Sequence, residues 1–198
     1  MNAGVRSRNP VGRPLDEQFG ADTVRTLRSL ANRLRSLRYP PGASRYYGLE
    51  LATCIESGAL AAALIVASAL LELHVRALVV NLAASAQRSH SRDQESLERQ
   101  LENRRDLGFA KLLDHLVETE LFAADDAASA KVLYNKIRIP LLHGLPSRFV
   151  DDHQFLSFPQ FRLLGTEVVS SRDFEDTIEA HGLQYLGAIV GIIERNGF

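Results

Sequence analysis

Apolar positions recur along most of this chain at the spacing of a helix. Val24, Leu27, Leu30, Ala31, Leu34 and Leu37 stand three or four apart, which gathers them on one face, and Asp22 is placed to cap a helix running to about Arg38. Arg25, Arg28 and Arg35 lie off that stripe. Pro40, Pro41 and Gly42 end it, because proline lacks an amide donor and restricts the residue before it. From about Leu49 to Gln87 the pattern is helix-permissive throughout, with Gly58 as its weak point and Ala, Leu and Val on nearly every face of the middle. Such a helix belongs at the centre of a core.

A Ser/Arg/His/Gln segment at 85–94 precedes a second long helix over about 95–121, striped by Leu97, Leu101, Leu107, Ala110, Leu113 and Leu116. Phe122 to Asp126 makes a turn, and Asp125 and Asp126 are candidate caps for a helix over about 127–143. Phe155–Phe158 and Arg162–Val169, rich in Phe, Leu and Val, flank Pro159–Gln160 and predict a small β-hairpin. Ser171 or Asp173 then caps a last helix to about Arg195, with Phe174, Ile178, Leu186, Ile189, Val190 and Ile193 facing inward. Residues 1–20 carry no apolar period and predict a loosely draped, flexible arm, leaving 21–198 as a single helical domain. The predicted fold class is therefore all-α. Helices at about 49–87, 95–121, 127–143 and 172–195 form a four-helix bundle, with an extra N-terminal basic helix and a β-hairpin excursion before the last helix.

Composition agrees with one folded domain: 198 residues, 45% apolar and 24% charged, can bury a sizeable core. A single cysteine, Cys54, forms no disulfide within the chain, reads as a buried structural thiol and gives no reason to expect an oxidising compartment, so the expected location is the cytoplasm. The apolar run Ala59–Leu71 is shorter than the ~18–20 residues of a membrane span, and Glu72, His74 and Arg76 follow it, so no membrane partner is expected. No secretory signal pattern opens the chain. Charge changes the picture more. Residues 1–48 hold nine Arg and no Lys against Asp16, Glu17 and Asp22, a balance of +6, and the net charge of −1 then leaves −7 on the remainder. This asymmetry suits either a phosphate-bearing partner or the docking of the two parts on each other.

The stretch with most chemistry is Lys136-Ile-Arg-Ile-Pro-Leu-Leu-His-Gly-Leu145. There Arg138 and His143 lie five apart near a helix end, following an Ala/Leu-rich helix that carries the acidic Glu72. This Arg-x4-His pattern, on the third long helix of a bundle, resembles the HEPN superfamily over about residues 48–196. The resemblance implies a metal-independent endoribonuclease of toxin or defence type, without cofactor, in which two protomers pair around a shared cleft. RNA is the implied substrate, and an antitoxin or other protein is a possible partner. His143 would move a proton, Arg138 would hold the scissile phosphate, and Glu72 would support Arg138.

Two features depart from the pattern: Ile139 follows the Arg where active members commonly carry a polar residue, and Pro140 interrupts the helix. On an unbroken α-helix five residues advance ~500°, leaving the pair about 140° apart, so a shared site requires a kink. The alternative is a catalytically inactive HEPN-like dimerising module that binds RNA, a nucleotide or a protein, or a structural role with Arg138 paired to Glu72 and His143 bonded to free carbonyls. Glu72 and Arg76, four apart, are an expected helical ion pair. Arg25, Arg28 and Arg35, with Tyr39, Tyr46 and Tyr47 following, form a candidate RNA-binding face or a solvated face docked on the acidic remainder. His74 and His115 have no second ligand at useful spacing and read as partly buried or surface residues. No metal-ligand motif is present.

Overall fold

The structure is a computed structural model that describes residues 13–39, 43–87, 108–144, 149–150, 154–155, 162–168 and 170–197. It is mostly helical, as the sequence predicts. In chain order the helices are α1 (Leu15–Gln18), α2 (Ala21–Ser36), α3 (Ala43–Glu56), α4 (Leu60–Gln87), α5 (Phe109–Glu118), α6 (Ala124–Arg138), which continues as a π-helical segment over Ile139–Gly144, and α7 (Ser171–Arg195). Two antiparallel ladders interrupt the last connection: β1 (Phe149–Val150) with β2 (Gln154–Phe155), and β3 (Arg162–Leu163) with β4 (Thr166–Glu167).

The α2 stripe is buried as predicted: Val24, Leu27, Leu30, Ala31 and Leu34 are all in the core. The single helix expected over 49–87 is instead two. Gly58 takes φ +73°, a left-handed conformation that costs a residue without Cβ little, and the chain turns there between α3 and α4. A Cβ at this position would also collide with Gln18 and Phe19, which pack over the turn. Part of the expected arm is therefore docked. Leu15 is buried in the core and the Gln18 side-chain amide donates to the Ser57 carbonyl at 3.3 Å. Residues 1–12 of that arm lie outside the described residues, as do 88–107, which include the start of the helix expected at 95–121.

Helix α4 is the hub and packs against α3, α5, α6 and α7. Ala63, Leu64, Ala67, Leu70, Leu71 and Val75 are fully or almost fully buried in it. Because it continues through Glu72, His74 and Arg76 into a further apolar stretch, Leu60–Ser85 has the length and composition of a membrane-crossing helix, which counting the Ala59–Leu71 run alone misses. In this fold 61% of its most apolar window is covered by the rest of the protein.

The caps differ from those expected. Ser170, not Ser171 or Asp173, caps α7, accepting the Asp173 amide at 3.1 Å. Helix α6 begins at Ala124 with no side-chain cap of its own, and the Ala123 amide is satisfied by the Asn196 side-chain oxygen at 3.2 Å. The β excursion is also local. Arg162–Leu163 folds back on Thr166–Glu167 rather than on the Phe155 strand, because Leu164 (φ 52°) and Gly165 (φ 88°) form a two-residue turn with both central residues left-handed. Residues 156–161, at the centre of the expected hairpin, lie outside the described residues.

Candidate active site

Glu72 and Arg76 are one turn apart on α4, and Arg138 closes α6 beside them. The Glu72 carboxylate is shared: Oε1 accepts from Arg76 Nε and Nη2 at 3.2 and 3.0 Å, and Oε2 lies 3.1 Å from Arg138 Nη2. The Glu72 side chain is 16% exposed and the two arginines 28% and 24%, so the trio sits in a partly dry environment where an ion pair is stronger than on an open surface. Two cations on one anion leave a net charge of +1. The Arg138 guanidinium carbon also stands 5.6 Å from the ring centroid of Tyr134, one turn earlier, and that ring stacks on Phe109 at 4.5 Å. Arg138 is thus fixed by a carboxylate on one helix and an aromatic ring on its own.

The end of α6 is shaped by Pro140. Proline has no amide to give the carbonyl four residues back, that of Lys136, and its ring crowds that carbonyl. The segment Ile139–Gly144 answers by widening into a π-helix, whose i→i+5 register sets position 143 one turn beyond position 138 instead of far round the helix. The Lys136 carbonyl receives the Leu164 amide of the β3–β4 turn at 3.2 Å, and Tyr185 of α7 donates to the Leu164 carbonyl at 2.8 Å. Leu163, Leu164 and Val168 are buried beneath. The backbone of His143 lies within the π segment, and its side chain falls outside the described residues. Ile139 is 47% exposed.

The basic face of α2 is engaged with carboxylates. Arg25 pairs with Asp22 at 3.1 Å and Arg28 with Asp16 at 2.8 Å, both on the exposed surface, while Arg35 grips Glu56 of α3 with two guanidinium nitrogens. Arg33 likewise holds Glu194 near the end of α7, donating from Nε at 2.8 Å and from Nη2. These bonds draw the carboxyls of Glu56 and Glu194 below the usual carboxylate range. Of the three tyrosines, Tyr39 turns inward to donate to the Leu34 carbonyl at 2.7 Å, Tyr47 packs against the core, and Tyr46 is exposed and meets Tyr47 edge-on. Arg33 and Arg35, each 41% exposed, therefore fasten α2 to its neighbours, while Arg25 and Arg28, at 79% and 58%, face water more fully.

His74 is buried, with Nε2 donating to the Asn196 carbonyl at 2.8 Å, and burial pushes its pKa below that of an ordinary histidine. His115 lies on the exposed side of α5. Cys54 is half-buried where full burial was expected, and the partial desolvation of its thiol, with the charge of Glu50 adding to it, raises its pKa. Among the described residues no group of three or more His, Cys, Asp or Glu side chains gathers as a metal site. The participant that sequence reasoning missed is Tyr134. It stands four before Arg138, the helical spacing at which side chains meet, and that spacing was the available signal. Comparison with protein-family models, curated proteins and solved structures gives no match to this chain.

Proposed function

We propose that this protein is a HEPN-like RNA-processing domain, a metal-independent endoribonuclease of toxin or defence type that acts as a homodimer in the cytoplasm. The observation that supports it is the pairing of a fixed Arg138 with a π-helical turn whose register brings position 143 one turn away. In this reading the planar fork of Arg138 holds the scissile phosphate and offsets its developing charge. His143 accepts the proton of the attacking 2′-hydroxyl or protonates the leaving oxygen, since imidazole titrates near neutral pH. Glu72 and Tyr134 position Arg138 without touching the reacting atoms.

A second reading is favoured by the exposed Ile139 and by the carboxylate already bound to Arg138: an inactive HEPN-like module that dimerises and binds RNA, a nucleotide or a protein such as an antitoxin. The discriminating experiment is cleavage of an end-labelled mixed RNA pool in EDTA by wild type, Arg138→Ala and His143→Ala. Cutting that leaves 2′,3′-cyclic phosphate ends and disappears in both variants supports the nuclease. An uncut pool with folded wild-type protein selects the binding module.

A further inference from the structure

The Glu72–Arg138 pair alone would be neutral and already links α4 to α6. Arg76 adds a third charge that this contact does not require, and it adds it awkwardly. Its Nε and Nη2 crowd onto the single oxygen Oε1, while Nη1 is buried and has no hydrogen-bond partner among the described residues. A buried guanidinium nitrogen without an acceptor is destabilising, and an uncompensated positive charge in a partly dry site favours an anion. Arginine is suited to such a switch, because its long stem can swing a planar fork whose donors match the oxygens of phosphate.

We propose that Arg76 is a second oxyanion-binding group of this site, which takes one phosphate of an RNA chain together with Arg138. Glu72 is the hinge of the exchange. When Arg76 leaves Oε1, both carboxylate oxygens become free for Arg138, which keeps further donors for the incoming phosphate. RNA as the source of the phosphate rests on the ribonuclease reading above, whereas the oxyanion chemistry of the two arginines does not.

The test uses the full chain and two probes, inorganic phosphate and a 2′-O-methyl RNA decamer that cannot be cut for want of a nucleophile. Melting temperature and probe affinity are measured for wild type, Arg76→Gln and Glu72→Gln. Arg76→Gln leaves the neutral Glu72–Arg138 pair, so it is expected to melt no lower than wild type without probe and to bind either probe about tenfold more weakly or worse. Glu72→Gln frees both forks and is expected to melt lower without probe and gain more from phosphate than wild type does. Arg76→Gln that melts well below wild type with an unchanged probe response would make Arg76 a structural ion pair and overturn the proposal. Phosphate binding that depends on Arg76, with no binding of the decamer by wild type, overturns RNA as the source. If the decamer binds through Arg76 but wild type never cuts RNA, the nuclease reading fails and this proposal stands. Cleavage by Arg76→Gln at the wild-type kcat/KM has the opposite meaning.

Discussion

The amide of Leu164 donates to the carbonyl of Lys136, the one that Pro140 leaves without its helical donor. A proline late in a helix and a two-residue turn 24 positions further on are thereby one device: the first vacates an acceptor and the second fills it. Restoring an amide at position 140 sets up a competition for that carbonyl. Pro140→Ala is expected to return 139–144 to α-helical register and loosen the β3–β4 turn. In hydrogen exchange, the Leu164 amide should exchange faster and the amides of 140–144 more slowly. If the protein is a nuclease, its activity should fall as the register shifts. Unchanged protection at Leu164 would mean that the turn is held by its side chains alone.

Those side chains are substantial. Leu163 is fully buried and Leu164 nearly so, although both belong to a connection between helices. Leu163→Ala should cost about 3 kcal/mol, the range of a core leucine and well above that of a surface loop. Chemical denaturation that reports less than about 1 kcal/mol would place this turn outside the cooperative core.

How much of this was legible depended on whether the determining partner was local. The one-sided stripe of α2 was readable because its period alone dictates a buried face. Gly58 was readable as a weak point but not as a break, since an Ala/Leu/Val run suits one helix or two, and the room for a side chain at the turn is taken by Gln18 and Phe19 some forty residues earlier. Pro140 announced a disturbance, but the π register and its remote acceptor bond have no local signature. The Glu72 contacts to Arg76 and Arg138 followed from charge in an apolar setting, where an unpaired carboxylate would be costly. The α2 arginines were readable as a cationic face, yet which of them are tied to other helices was decided by Glu56 and Glu194.

Gly48 gives a test of the α2–α3 contact. A Cβ there would overlap the Tyr39 phenol, whose hydroxyl donates to Leu34 and is pushed up to about 12 by burial, with the Glu194 charge adding to it. Gly48→Ala should therefore destabilise the protein by about 1–3 kcal/mol and expel the ring toward water. Alkaline absorbance titration would then show one more tyrosine ionising near 10, the ordinary value. A normal melting temperature together with an unchanged titration would show that α3 can shift aside at no cost.

Acid should unfold the protein in two stages with different causes. His74 is neutral when buried, so its folded pKa lies below the unfolded value of ~6.5, and the folded state binds fewer protons than the unfolded state as pH falls through that value. Stability is thus expected to decline first from about pH 6.5 downward. The second stage belongs to carboxyls held low by arginine: Asp126 by Arg195 and then by Asn196, Glu194 by Arg33, and Glu56 by Arg35. Their folded pKa values lie below those of the unfolded chain, so their contribution is complete above about pH 4–4.5 and is lost as pH falls through the folded values. Asp126 matters most among them, since it is buried and accepts from both Arg195 and the Asn196 amide that also caps α6. Melting temperature measured from pH 8 to pH 3 separates the stages. His74→Gln should flatten the limb between about pH 7 and 5 while leaving the lower one, and Asp126→Asn should lower stability at neutral pH and flatten the limb below about pH 4.5. A first limb that survives His74→Gln would assign it to another group.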